Sequence, residues 1–225
     1  MNKVYISGAG CISSVGNGWD ASLESLYRNS GVLPRPPSEK IGSTLKTPVF
    51  ELTDFDPGTE SKSMAFLHHV LKEALESAGL TPDFLRGKNV CVSIGTTVSC
   101  QLNDIPFYAG LRSDTVESWD VLRDFFTSNP SEKIRREYGL KGSALTVSNA
   151  CVSGADAIAL AFLKVASGEC DLAIAGGVDE LNRVPVAGFN ALGVASPEPC
   201  CPFDKNRKGL NLGEGAGIVI LESEA

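Results

Sequence analysis

Strand-like and helix-like segments alternate along this chain, and the alternation constrains its fold more than any other feature. Val4–Gly8, Val90–Gly95, Ala144–Ser148, Leu172–Gly176 and Gly217–Glu222 read as short apolar strands. Between them, Ser61–Ala78 carries Met64, Leu67, Leu71, Leu75 and Ala78 at helical spacing. Trp19–Tyr27 begins an earlier helix, Ser131–Tyr138 is a short basic one, and Cys151–Ala166 is apolar almost all round. A helix apolar on every face is expected to lie buried between layers. The pattern predicts a mainly parallel five-stranded α/β sheet covered on both faces. Arg35–Gly58 and Cys100–Ser118, rich in Pro, Gly and polar residues, read as excursions from that core. A chain of 225 residues can bury a full core as one domain, or as a domain with a small appendage.

Charge and cysteine usage narrow the function classes. A net charge of −7 argues against nucleic acid or an anionic membrane as the main partner. No apolar run approaches the roughly 18 residues of a membrane-spanning helix. The start, Met1-Asn-Lys-Val-Tyr-Ile-Ser-Gly8, enters a strand directly and lacks a long apolar signal core. Seven cysteines, irregularly spaced and without C-x-x-C, suit reduced thiols in a cytoplasm better than a disulfide framework or a zinc site. No cofactor or metal is implied.

Val147-Ser-Asn-Ala-Cys-Val-Ser-Gly154 is the segment with the most chemistry in it. A strand runs into Cys151, which is expected to open the small-residue helix. Anionic sulfur at a helix N-terminus is favoured by about 0.3–2 kcal/mol, which helps a nucleophile without making one. Free N–H groups of the first turn could hold the oxyanion of a thioester carbonyl under attack. The plain alternative is a buried cysteine packed at a strand–helix junction.

Other segments carry less. Gly8-Ala-Gly-Cys-Ile-Ser-Ser-Val-Gly16 looks like a nucleotide-binding turn, but Ser13 stands where a third glycine is needed and no acidic residue ends a second strand. The glycines around Glu214, in Gly213-Glu-Gly-Ala-Gly217, read as places where two backbones approach closely. His68 and His69 stand side by side in the long helix, where packing or surface roles are the ordinary reading; the sharper one is a base for Cys151 in a Cys–His thioesterase. Lys133, Arg135 and Arg136 are either a solvated helix face or a dock for an acidic partner.

Taken together, five segments in order resemble the N-terminal half of the β-ketoacyl-[acyl carrier protein] synthases, condensing enzymes of the thiolase fold. They are Val4–Gly16, Ser63–Leu80, Ser148-Asn-Ala-Cys-Val-Ser-Gly154, Gly168–Asp179 and Pro202-Phe-Asp-Lys-Asn-Arg-Lys-Gly-Leu-Asn-Leu-Gly-Glu-Gly-Ala-Gly217. The resemblance implies one half of an α/β/α/β/α sandwich, and a homodimer or a heterodimer with another synthase subunit. It implies that Cys151 takes an acyl group from an acyl carrier protein as a thioester. A malonyl thioester then loses carbon dioxide, and its carbanion attacks the acyl-cysteine. Val98, Ala150 and Phe189 would line the acyl site, with Asp204 and Arg207 as structural supports.

Two departures bear on that expectation. Thr97-Val-Ser-Cys100 stands where many relatives carry a Gly-Ile-Gly-Gly type run, which alters the pocket. The sequence ends at Leu221-Glu-Ser-Glu-Ala225, about where the family's first half finishes, and the resemblance puts the two histidines (or His and Asn), the lysine and the second oxyanion donor in the other half. These residues are expected to be either a piece of a longer protein or a half-length relative without the complete machinery. The rival class is a non-catalytic chain-length or partner subunit that binds acyl chains.

Overall fold

The computed structural model describes residues 1–28, 31–39, 41, 46–58, 60–98, 105–116, 118–119 and 130–224. They form two compact units, one of Met1–Cys11, Pro57–Asp179 and Ala216–Ala225, the other of Ile12–Asp56 and Glu180–Gly215.

The first unit is built on β1 (Val4–Ser13, of which it holds the first part), β3 (Val90–Gly95), β4 (Ala144–Val147), β5 (Leu172–Asp179) and β6 (Gly215–Ser223). Their order is β1-β6-β5-β3-β4. β3 runs parallel to both neighbours, with Val92 opposite Ala144 and Val90 opposite Leu172. All six residues of β3 are buried. Since alternate residues point to opposite faces, this strand is covered on both. Three of the strands, β1, β5 and β6, run further than sequence spacing places them, because ladder bonds continue past the apolar runs, and β4 ends one residue sooner. β1 is the clearest case: Gly8–Ser13 is extended strand, not a turn.

Helix α2 (Lys62–Ala78) shows how the sequence sets an element and its packing. Ser61 caps it by accepting from the Met64 N–H at 3.3 Å, and Gly79, at φ 66°, ends it in the left-handed conformation. Phe66, Leu67, Val70, Leu71 and Ala74 are fully buried along one stripe. Burying each larger side chain contributes roughly 1.5–3 kcal/mol. Gly8 and Gly10 of β1 let this helix sit close. A Cβ at Gly8 would lie 2.2 Å from the Ala74 carbonyl oxygen, and one at Gly10 would lie 2.2 Å from that of Val70. The glycines of the first strand therefore serve packing, not phosphate binding.

Short α3 (Pro82–Arg86) leads into β3, and α4 (Ile105–Arg112) lies within the stretch read from sequence as an excursion. α5 (Pro130–Glu137) packs on β3 and β4, and α6 (Ser153–Ala166) on β3, β4 and β5. Ala161 and Val165 of α6 join Cys91, Ala173, Ala175 and Leu221 in one core cluster. Two expectations about α6 are corrected. It begins at Ser153, not Cys151, because Ala150 at φ 47° breaks the helical path just before it. Nor is it buried all round, since Leu160 and Leu163 are exposed on this chain. Its apolar residues outnumber those that the sheet face can cover.

In the second unit, Ile12 and Ser13 at the end of β1 pair antiparallel with β2 (Gly16–Asn17), a short extra strand that sequence spacing misses. α1 (Trp19–Arg28) follows. Arg35 and Val49 exchange backbone hydrogen bonds of 2.8 Å. α7 (Arg183–Ala191) is capped by Asn182, whose side chain accepts from the Val184 N–H at 2.9 Å. Ile41, Val49, Leu181 and Val186 make the core of this unit. The buried Glu214 carboxylate accepts from Leu52 N–H at 2.7 Å and Leu181 N–H at 2.9 Å. As expected for a close backbone approach, a Cβ at Gly215 would lie 2.4 Å from the Ile12 carbonyl oxygen.

Candidate active site: the Cys151 turn

β4 ends at Val147, and the chain reverses within Asn149–Ser153 to enter α6. A single hydroxyl organises this turn. Ser153 Oγ accepts from the Asn149 N–H at 2.7 Å and donates to the Ala150 carbonyl at 2.7 Å. The Val152 N–H donates to Asn149 O and the Ser153 N–H to Ala150 O, both at 3.2 Å. Asn149 Nδ2 reaches Asp156 Oδ2 on α6 at 2.7 Å. These bonds hold Ala150 at positive φ, a conformation that costs a non-glycine residue about 1–3 kcal/mol. Backbone approach makes the turn fit, since a Cβ at Gly95 would lie 2.2 Å from Ser153 backbone atoms.

Cys151 sits on this turn, exposed, two residues ahead of the helix. Its N–H has no acceptor among the described residues. The arrangement offers a nucleophile with an amide donor beside it, which is what attack on a carbonyl requires.

The loop leaving β3 comes next to the turn. Thr97 Oγ1 donates to the Ala150 carbonyl at 3.3 Å. Asp179, at the end of β5, accepts from Thr96 Oγ1 at 2.9 Å, Thr97 N–H at 3.0 Å and Val98 N–H at 3.1 Å. Of the residues expected to line an acyl site, Ala150 precedes Cys151 directly and half-buried Val98 lies on this loop. Phe189 is half-buried on α7 in the second unit. Ser99 and Cys100 of the altered run lie outside the described residues. Sequence reasoning missed Ser153, Asp156, Thr97 and Asp179. A polar residue inside an otherwise small or apolar run, as in Cys151-Val-Ser-Gly and Gly176-Gly-Val-Asp179, was the available signal.

The other candidates resolve into local roles. His68 has both ring nitrogens engaged, Nδ1 with Glu60 at 3.0 Å and Nε2 with Glu137 at 2.6 Å, which leaves no ring nitrogen open for a thiol. His69 is half-buried on the same helix. Glu132 answers the basic cluster from within. Arg135 grips both its oxygens at 2.6 Å and Arg136 reaches it at 2.7 Å. Hydrogen bonds from Arg135, then Arg136, hold the Glu132 carboxyl at about 2, well below its ordinary 4.5. Cys11, Cys91, Cys151, Cys170, Cys200 and Cys201 are all free thiols. Among the described residues no cluster of three or more His, Cys, Asp or Glu is placed to hold a metal ion, and no helix is long and apolar enough to cross a membrane.

This fold is that of the thiolase-like ketosynthases. The ishigamide ketosynthase/chain length factor superposes with a TM-score of 0.87 at 28% identity, covering 99% of this chain and 59% of that one. A β-ketoacyl synthase from Burkholderia phymatum gives 0.85 at 26% identity, with the same coverage. The profile of the β-ketoacyl synthase N-terminal domain matches residues 1–225, and the chain belongs to that family. Among its relatives, a phenolphthiocerol synthesis polyketide synthase of Mycobacterium marinum is 36% identical over 211 residues, which are 91% of this chain and 9% of that protein. 3-oxoacyl-[acyl-carrier-protein] synthase 2 of Mycobacterium tuberculosis is 30% identical over 218 residues, 88% of this chain and 52% of the relative. The tetracenomycin ketoacyl synthase alpha subunit of Streptomyces glaucescens is 27% identical over 246 residues, 98% and 57%. The chain thus spans little more than half the length of the last two relatives and a tenth or less of the first.

Proposed function

We propose that this chain is the nucleophile-bearing half of a β-ketoacyl synthase of fatty acid or polyketide type, with Cys151 as the residue that carries the acyl group. The observation behind it is the exposed Cys151 on a hydroxyl-braced turn, with its own N–H open, in a chain of this family. In the loading step, the Cys151 sulfur attacks the carbonyl of an acyl thioester on an acyl carrier protein. A carbon–sulfur bond to Cys151 forms, the bond to the carrier's thiol breaks, and the carrier leaves as the thiol with the proton Cys151 gave up. The Cys151 N–H donates to the oxyanion in between. In the second step, a malonyl thioester loses carbon dioxide. Its carbanion forms the new carbon–carbon bond to the acyl carbonyl, returning Cys151 and a β-ketoacyl thioester.

We assign loading to these residues, and decarboxylation to groups in a C-terminal half beyond them. Val98, Ala150 and Phe189 are the proposed acyl-site residues, and a cytoplasmic setting fits free thiols. Leu145 on β4 and Leu160 and Leu163 on α6 are exposed, and a second half or another synthase subunit would bury them. A chain-length subunit is the lesser reading, because an exposed, braced cysteine has no use there.

Intact-mass analysis of the natural full-length protein, incubated with an acyl thioester, tests the assignment. One acyl increment on Cys151 is expected, and none in Cys151→Ala. An increment that survives in Cys151→Ala overturns it.

A further inference from the structure

We propose that Asp179 is a positioning residue that sets the loop carrying Val98 and, through Thr97, the turn presenting Cys151, so that it governs which acyl chains Cys151 accepts. The inference rests on the acyl-transfer reading above. It goes beyond that reading by naming a residue with no place in the reaction itself.

Backbone bookkeeping leads to it. The Thr96 N–H continues the ladder of β3 by donating to Val147 O at 2.9 Å. Beyond that point the chain leaves the sheet, and the Thr97 and Val98 N–H groups have no strand to donate to. Both donate instead to one carboxylate oxygen of Asp179, at 3.0 and 3.1 Å, and Thr96 Oγ1 donates to the same oxygen at 2.9 Å. The second oxygen lies 3.3 Å from the Thr97 N–H. Two successive amides aimed at one anion curl the backbone into a concave turn, and charge-assisted bonds hold it more firmly than neutral ones would. That curl fixes where the Val98 side chain points.

The second link runs from the same loop to the nucleophile. With its amide held by Asp179, Thr97 donates its hydroxyl to the Ala150 carbonyl at 3.3 Å. Ser153 Oγ donates to that carbonyl too, and Ala150 is the positive-φ residue immediately before Cys151. The orientation of the Ala150–Cys151 peptide therefore depends on the loop, and it carries the Cys151 N–H that would serve the oxyanion. A misplacement near 1 Å at such a site costs about a hundredfold in rate.

The test uses the natural full-length protein with Asp179→Asn, Asp179→Glu and Thr97→Val. Acylation of Cys151 is followed by intact mass, with pantetheine-like thioesters of short, medium and long saturated acyl chains. Alkylation by iodoacetamide reports the thiol without an acyl chain. Asp179→Asn keeps the shape and one acceptor oxygen, but it removes the charge and sets an NH2 group in place of the oxygen that lies 3.3 Å from the Thr97 N–H. It should slow acylation about tenfold or more, unequally across chain lengths and chiefly through KM, with alkylation much less affected. Asp179→Glu should recover part of the loss. Thr97→Val, on an exposed position, leaves the Asp179 clamp in place. It should slow acylation by one common factor for every chain. Equal losses for all chains and for alkylation in Asp179→Asn would overturn the proposal, as would a wild-type chain-length profile. Should Asp179→Asn fail to fold, wild-type acylation by Thr97→Val would overturn it alone. Absence of any acyl group on wild-type Cys151 would sink the acyl-transfer reading along with it, and so stands apart from the other outcomes.

Discussion

Replacing Gly10 by alanine adds one methyl group where the structure has no room for it. The new Cβ would lie 2.2 Å from the Val70 carbonyl oxygen, 3.0 Å from the Ala74 nitrogen and 3.1 Å from Glu73 Cβ. Two of these neighbours are backbone atoms of α2, so no rotamer change relieves the contact. The helix must shift by close to an ångström, or β1 must. Either movement loosens the seat of Phe66, Leu67, Val70 and Leu71, all fully buried. Overpacking by a methyl group costs about 1–3 kcal/mol, and a clash with rigid backbone belongs at or above the upper end. For a domain of this size, about 3 kcal/mol corresponds to a Tm lower by roughly 6–12 °C. Urea unfolding is the assay: the midpoint should fall with the slope unchanged, as for a pure stability loss. Gly188→Ala is the control, since a Cβ there meets nothing within 4 Å and the site lies in α7. Alanine should stabilise that helix by about 0.5–1 kcal/mol. A Gly10→Ala protein with the wild-type midpoint would refute the close-approach argument for the first strand.

Two further outcomes follow from buried or paired carboxylates. Glu132 is depressed in the folded chain, so its contribution to stability is fully present above its ordinary 4.5 and disappears as pH falls from there toward about 2. Glu132→Gln should flatten the acid limb of a Tm-against-pH curve in that window, and an unchanged limb would contradict the pairing with Arg135. Glu214→Leu should strip the Leu52 and Leu181 amides of a buried acceptor. Each orphaned amide costs about 1–3 kcal/mol, and hydrogen exchange at those two amides should speed up while that of the α2 core stays slow; equal exchange in mutant and wild type would rule out the carboxylate as their acceptor.

The sequence by itself determined the elements whose signals are local. Apolar period alone placed α2 to within a residue, and the caps that bound it, Ser61 and Gly79, are local as well. The run Val90–Gly95 fell where its apolar residues are, since a central strand is buried on both faces. Cys151 stood out for the same reason: a thiol between a strand and a small-residue helix is visible in a short window. Tertiary structure alone decided what depends on partners far along the chain. β1 continues through Gly8–Ser13 because its neighbours supply ladder bonds and α2 needs those glycines flat, where local propensity suggested a turn. α6 starts after Cys151 because bonds from Thr97 and Ser153 converge on the Ala150 carbonyl and hold that residue out of the helix. Asp179 finds its donors some eighty residues away, on the loop beyond β3. Hydrogen bonds of that span leave no periodic trace in a sequence. They are set by which strands lie side by side, and only the assembled sheet decides that.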